Sequence, residues 1–171
     1  DVLRGNGGND TLYGFGGTDQ LDGGAGNDTL NGGDNNDELN GGLGTDYLEG
    51  GSGNDVYYFA RGYGEDTIYD SDMTTGNIDV VTFLEGITPT DISVKRTGNN
   101  LELLVTGTTD KLIIKDYFSG TYNYYSNDPT KLVNQVEQVK FSDGTIWNAT
   151  YIADLVRTQN GTESSDSLMG A

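Results

Sequence analysis

The sequence predicts an all-β protein with two unlike parts, and three observations predict it. Residues 1–69 carry an acidic, glycine-rich repeat of nine residues with one inward-type apolar side chain per unit. Residues 91–141 hold four runs of strand composition separated by turn signals. Only one segment, 148–157, has helical spacing.

The repeat is strict. Aspartate stands at 1, 10, 19, 28, 37, 46 and 55, and two residues after each comes Leu3, Leu12, Leu21, Leu30, Leu39, Leu48 or Tyr57. Glycines fill the stretch before each aspartate, as in "GGAGNDTLN" (23–31), "GGLGTDYLE" (41–49) and "GGSGNDVYY" (50–58). After a slip at Phe59-Ala60 a further copy follows, "RGYGEDTIY" (61–69), with Asp66 and Ile68 in register. A flexible linker has similar composition but needs no fixed Asp or Leu period.

Charge narrows the chemistry. The chain has 171 residues, 27 acidic against 9 basic, for a net charge of −18. Residues 1–58 hold 17 of the 27 glycines and eleven acids against Arg4 alone, which leaves that segment at −10. Such acidity argues against nucleic acid, which binds through clustered Lys and Arg. It favours a hard cation held by oxygen. Cysteine and histidine are absent, so thiol chemistry, Cys or His metal ligation and the commonest general base are excluded. No phosphate-binding glycine loop or EF-hand loop is present, and no apolar run has membrane-spanning length. The expectation is a non-enzymatic protein.

The units resemble the nonapeptide GGxGxDxUx of RTX (repeats-in-toxin) proteins, a calcium-binding repeat. The resemblance implies that two units, eighteen residues, complete one coil of a flattened right-handed parallel β-roll. The last three residues of a unit form a short strand, and the first six turn the chain with glycine's freedom at positive φ. Carbonyls alternate in direction along such a turn, so positions 1 and 3 face one neighbouring coil and positions 2 and 4 the other. Family geometry places each calcium ion between units two apart, with two carbonyls and an Asp oxygen from each.

On this chain the residues assigned to metal are Gly5, Gly7 and Asp10; Gly14, Gly16 and Asp19; Gly23, Gly24, Ala25, Gly26 and Asp28; Gly32, Gly33, Asp34, Asn35 and Asp37; Gly41, Gly42, Leu43, Gly44 and Asp46; Gly51, Gly53 and Asp55; and Gly62, Gly64 and Asp66. Asp34 enters through its place in the turn; the carboxylates of Asp22, Asp34, Glu38 and Glu49 read as surrounding charge. The full pairs are Asp10–Asp28, Asp28–Asp46, Asp19–Asp37 and Asp37–Asp55. Asp46–Asp66 spans twenty residues, and Asp1–Asp19 is incomplete. About four to six Ca²⁺ ions follow, five of which would neutralise the segment. Three turn positions depart from the pattern, Asn6, Phe15 and Asn35; Phe15 threatens the Asp19 turn most.

Beyond the repeat, "DISVKRT" (91–97), "LELLV" (101–105), "DKLIIKDYF" (110–118) and "VEQVKF" (136–141) read as strands of a small antiparallel region. The helix 148–157 is capped by Asn148, with Tyr151, Ile152, Leu155 and Val156 on one face. This flank is similar to the segment after the repeat block of hemolysins and of the adenylate cyclase toxin, where it caps the roll. The expected organisation is a roll over 1–69, a flank over 70–157, and a linker with the start of a following array over 158–171, where "GTESSDSLM" (161–169) places Asp166 and Leu168 in register.

The resemblance implies a module of a secreted bacterial toxin, adhesin or exoenzyme, located outside the cell or on its surface. Its partners are calcium, the remainder of a larger RTX polypeptide and the type I secretion machinery. A second reading is a recognition module of a surface adhesin, binding glycan or a partner through Tyr117, Phe118, Tyr122, Tyr124 and Tyr125.

Overall fold

The computed structural model describes residues 1–70, 72, 76–118 and 136–159. Each repeat unit contributes one strand: β1 (Val2–Gly7), β2 (Thr11–Gly16), β3 (Gln20–Ala25), β4 (Thr29–Asp34), β5 (Glu38–Leu43), β6 (Tyr47–Ser52), β7 (Val56–Phe59) and β8 (Glu65–Ile68). The strands β1–β6 have six residues, longer than the three expected. They start just after the aspartate and run through the third turn position. The backbone bends inside the strand, where position 2 takes a positive φ, as at Gly24 (+100°) and Gly42 (+95°). Registry survives the bend, since Leu21 pairs with Leu39 and Gly24 with Gly42.

Odd strands form one parallel sheet and even strands another. Partners lie eighteen residues apart, as Leu12 and Leu30 show. The two-residue insertion before β8 is absorbed in a turn at Ala60–Gly62, so β8 still pairs with β6 through Leu48 and Ile68.

Both sheets continue into the flank. The strands there are β9 (Asp79–Phe83), β10 (Ile92–Thr97), β11 (Asn100–Val105), β12 (Lys111–Ile114), β13 (Val136–Lys140) and β14 (Ile146–Asn148). Strands β10, β11 and β12 form an antiparallel meander, and β13–β14 an antiparallel pair. Parallel pairs weld these pieces to the roll: β12 lies beside β8, β9 beside β7, and β13 beside β9. Each sheet therefore has seven strands, ordered β1-β3-β5-β7-β9-β13-β14 and β2-β4-β6-β8-β12-β11-β10. The last repeat units thus present no open edge, the arrangement that protects strand edges from unwanted pairing.

One apolar core runs through both parts. In the roll it is two columns, Leu21, Leu39 and Tyr57 on one sheet and Leu30, Leu48 and Ile68 on the other; in the flank it broadens to Val81, Leu101, Leu103, Leu112, Val139, Trp147 and their neighbours. Aromatic rings carry it across the junction. Phe59 meets Phe83 edge-on at 6.0 Å, Phe83 stacks on Phe141 at 5.3 Å, and Phe141 meets Trp147 at 4.6 Å.

Helix α1 (Ala149–Gln159) starts where Asn148 Oδ1 accepts the Tyr151 N–H at 2.9 Å. Ile152 and Val156 are buried and Leu155 packs against the core. Tyr151 corrects the expected face: it is exposed, with its ring tilted against Trp147 at 5.7 Å. Tyr117 corrects the recognition surface, because it lies in the core and meets Phe118 edge-on, with Arg96 over the Phe118 ring. Tyr122, Tyr124 and Tyr125, with Asp166 and Leu168, lie outside the described residues.

Candidate metal centre

The six-residue strands leave only positions 4 to 6 of each unit as turn, and the repeat aspartate closes it. From Asp28 onward one carboxylate oxygen of each ladder aspartate is used in a constant way. Oδ1 of Asp28, Asp37, Asp46 and Asp55 accepts the backbone N–H of the aspartate eighteen residues earlier at 2.7, 2.8, 2.8 and 2.8 Å. Asp66 does the same for Asp46 at 3.0 Å across the twenty-residue unit. The longer spacing therefore leaves this contact intact.

The other oxygen is bare. Oδ2 of Asp10, Asp19, Asp28, Asp37, Asp46, Asp55 and Asp66 is buried with no hydrogen-bond partner. Asp19 to Asp66 are at most 2 % exposed. A buried carboxylate oxygen without a donor is strongly unfavourable unless it meets a cation or takes a proton. Burial pushes the carboxyls of Asp37 and Asp46 upward, Asp55 to about 7 and Asp66 to about 8, and neighbouring aspartates add to the rise.

Backbone oxygens converge on the same places. A side chain at Gly23 would collide with Oδ2 of Asp28 and with the Gly41 carbonyl of the next coil. At Gly32 the collision would be with Asp37 Oδ2 and the Gly50 carbonyl. The glycine at position 1 is thus required by a cradle of oxygen atoms. Among the described residues no three acidic side chains group together as a metal set, so any cation here needs carbonyls beside carboxylate. Hard oxygen donors of both kinds suit calcium.

The carbonyls alternate, with a definite sense. Those at position 2 and position 4 point to the following coil, since Asn6 and Gly8 carbonyls press on Gly24 and Gly26. Those at positions 1 and 3 point to the preceding coil: the Ala25 carbonyl accepts the Gly8 N–H at 2.8 Å, and that of Tyr63 accepts the Gly44 N–H at 2.8 Å. This corrects the two ends of the expected set. Gly5 and Gly7 occupy the positions whose carbonyls face away from the next coil, which Asn6 and Gly8 face instead. At the other end Tyr63 faces back, while the Gly64 carbonyl accepts the Lys111 N–H at 2.8 Å from the flank. The same sense corrects the next unit in from each end: Phe15, whose carbonyl presses on Gly33, faces the next coil in place of Gly14 and Gly16, and Gly50, whose carbonyl presses on Gly32, faces the preceding coil in place of Gly51 and Gly53. In the three units 23–28, 32–37 and 41–46 all four turn positions were assigned, so the sense does not alter them.

The departures from glycine keep glycine's conformation. Asn6 and Phe15 at position 2 have φ of +70°, and Asn35 at position 4 has +79°. The Asp19 turn is therefore formed, with Phe15 turned out to solvent and stacked on Tyr13 at 5.8 Å.

Two further ladders escaped the sequence reading. Asparagine at position 5 repeats the aspartate's trick on the outside: Asn9 Oδ1 accepts the Asn27 N–H at 2.8 Å, and Asn36 Oδ1 the Asn54 N–H at 3.0 Å. The aspartate column also extends into the flank. Asp79 Oδ1 accepts the Asp55 N–H at 2.7 Å, and Glu137 Oε2 accepts the Asp79 N–H at 2.6 Å. On the other sheet Asp110 accepts the N–H groups of Gly62 and Gly64 at 2.8 and 3.2 Å. The signal for two of these was present. Asp79-x-Val81 and Glu137-x-Val139 keep the acid-x-apolar triplet after the glycines have gone, and Val81 pairs with Tyr57 on one side and Val139 on the other.

The acids outside the ladder bond across neighbouring strands. Asp22 accepts from Asn40 at 3.2 Å, Asp34 from Ser52 at 3.1 Å, and Glu38 from Gln20 at 3.3 Å.

Comparison with known proteins agrees with this geometry. Residues 1–30, 22–57 and 31–68 match the RTX calcium-binding nonapeptide repeat, and residues 100–151 match the haemolysin-type calcium binding protein related domain. Over 116 residues, 66 % of this chain, it is 39 % identical to the iron-regulated protein FrpA of Neisseria meningitidis serogroup C, of which that stretch is 9 %. The chain is an RTX hemolysin-type block: calcium-binding nonapeptide repeats followed by the related flanking segment.

Proposed function

We propose that this block is a calcium-dependent folding module of a secreted bacterial protein, with residues 1–69 as the metal-binding roll and 70–157 as its cap. The column of buried, unpartnered Oδ2 atoms carries the reading. Without a cation these oxygens face one another's charge inside a segment whose apolar core is one side chain per strand from β3 to β6. With calcium they gain the missing partner, and binding to the folded state alone stabilises that state by linkage. About four to six ions, held by the ladder aspartates with turn carbonyls, fit the number of inter-coil gaps.

A protein of this kind stays unfolded in the low-calcium cytoplasm, passes a type I exporter as a chain, and folds outside or on the cell surface. Its role is structural rather than catalytic, within a longer RTX polypeptide. Among the described residues no helix is long and apolar enough to cross a membrane. Among the described residues the recognition reading loses Tyr117 to the core.

Circular dichroism of the whole chain across a calcium titration tests the proposal. The chain should pass from largely disordered in EDTA to β-rich, steeply, at about 10⁻⁴–10⁻³ M calcium, and chelation should reverse the change. Equal β content in EDTA and in calcium would sink it.

A further inference from the structure

A second group of buried carboxylates lies at the seam between roll and flank, outside every assigned turn. Asp70 and Asp79 are 2 % and 1 % exposed. Their carboxylates lie within hydrogen-bonding reach of each other. Asp55, Asp72 and Glu137 surround the pair, and the charges acting most strongly within the group are all negative.

Most oxygens here have a donor. Asp72 Oδ2 accepts from the Gly53 N–H at 3.0 Å and from Asn77 at 2.6 Å. Asp79 accepts from the Asp55 N–H through Oδ1 at 2.7 Å and from Asn77 through Oδ2 at 3.3 Å. Asp70 Oδ1 accepts the Asp72 N–H at 3.1 Å. Asp70 Oδ2 is the exception: it is buried and has no partner. Two carboxylates in contact also require something positive between them, a proton or a metal ion.

We propose that Asp70 and Asp79 hold a divalent cation, calcium by the hardness of its ligands, in a site that belongs to the seam and not to any nonapeptide turn. The rest of calcium's roughly six to eight oxygens must come from backbone and water, since no three acidic side chains close on one point among the described residues. A proton is the competing solution, but it neutralises one charge among five carboxylates, whereas calcium neutralises two. The pair also stands where the aspartate column leaves the repeats, one strand beyond Asp55. An ion there ties β9 to the last coil by the same chemistry that ties coil to coil. The choice of calcium rests on the reading of the repeats as calcium sites; the seam position does not.

Anomalous diffraction from crystals of the whole chain grown with terbium in place of calcium tests the site directly. The expected result is a peak between Asp70 and Asp79 in addition to peaks in the turns. Peaks in the turns with none at the seam overturn this inference and leave the folding module standing. No peak anywhere overturns both. In solution, equilibrium dialysis with calcium should find one ion fewer per chain for folded Asp70→Asn than for the unaltered chain. Asparagine supplies the N–H donor that a shared proton would supply, so an unchanged ion count would show that the pair is proton-bridged.

Discussion

The roll and the flank use the same two sheets but are held by different forces. In the roll the units of Asp19, Asp28, Asp37 and Asp46 each bury one leucine and one carboxylate. In the flank the strands alternate, as in β11, where Leu101, Leu103 and Val105 are buried in succession. The flank therefore has an ordinary hydrophobic core, and the roll has a charged column beside a thin apolar core. The difference is what the proposed function turns on: the roll buries a column of carboxylate oxygens without donors, and the flank does not depend on such a column. The flank covers the last strands of the roll, β12 lying beside β8 and β9 beside β7.

Separating the parts should have the largest effect. Residues 1–69 alone lose the pairing of β7 with β9 and of β8 with β12, and Tyr57 and Phe59 lose the surface that covers them. Repeat arrays generally need such terminal covering. The fragment should stay disordered at calcium levels that fold the whole chain, and Trp147 emission in the whole chain should shift blue as calcium is added. A fragment that folds at the same calcium midpoint breaks the comparison.

Acid should partly replace calcium in the roll. In the folded state burial holds Asp55 protonated up to about 7 and Asp66 up to about 8, while an unfolded chain titrates them near pH 4. Over that window the folded state binds more protons, so its stability falls as pH rises. In EDTA the β content should be greater at pH 5 than at pH 8.5, and calcium should flatten the difference. Equal β content at both pH values in EDTA would show that these carboxylates are not buried without metal.

Position in the column should grade the effect of single substitutions. By spacing alone Asp10 and Asp55 are both ends, each joined to one full site, whereas Asp28 and Asp37 each join two. The structure removes Asp55 from that class, because Asp79 continues its column. Asp37→Asn should thus raise the calcium midpoint more than Asp10→Asn, and Asp55→Asn should resemble Asp37→Asn. Calorimetric titration of the three variants decides it; an Asp55→Asn shift as small as that of Asp10→Asn would place the end of the metal column at residue 55.

The smallest effect concerns Phe15. Its φ of +70° is strained for a side chain with a β-carbon, at a position where the other units mostly use glycine. Phe15→Gly should stabilise the calcium-bound form by on the order of 1 kcal/mol, reduced by the lost stacking on Tyr13. A lower thermal midpoint for the variant would mean that the stacking outweighs the strain.

The sequence by itself determined the roll. A period of nine with fixed Asp and apolar positions defines which side chains share a column, because parallel strands eighteen residues apart must align like with like. It also carried the type of metal, since carboxylate and glycine carbonyls are hard donors and no His or Cys competes. Four of the flank's six strands were visible as runs of strand composition, β9 and β14 were not, and α1 was visible as a capped amphipathic segment.

Only the tertiary structure decided how the parts join. That β9 and β13 extend one sheet, and that β12 enters the other in parallel, depends on contacts between residues far apart in the chain, such as the Asp79 N–H and Glu137. Local spacing holds no record of them. The sense of the carbonyls likewise follows from which neighbour each strand meets. The seam carboxylates needed folding to become visible as a group: Asp70 and Asp79 sit outside the period and belong to different strands or turns. Sequence separation hides what burial brings into contact, because the cost of an unpartnered oxygen exists only once water has been removed from it.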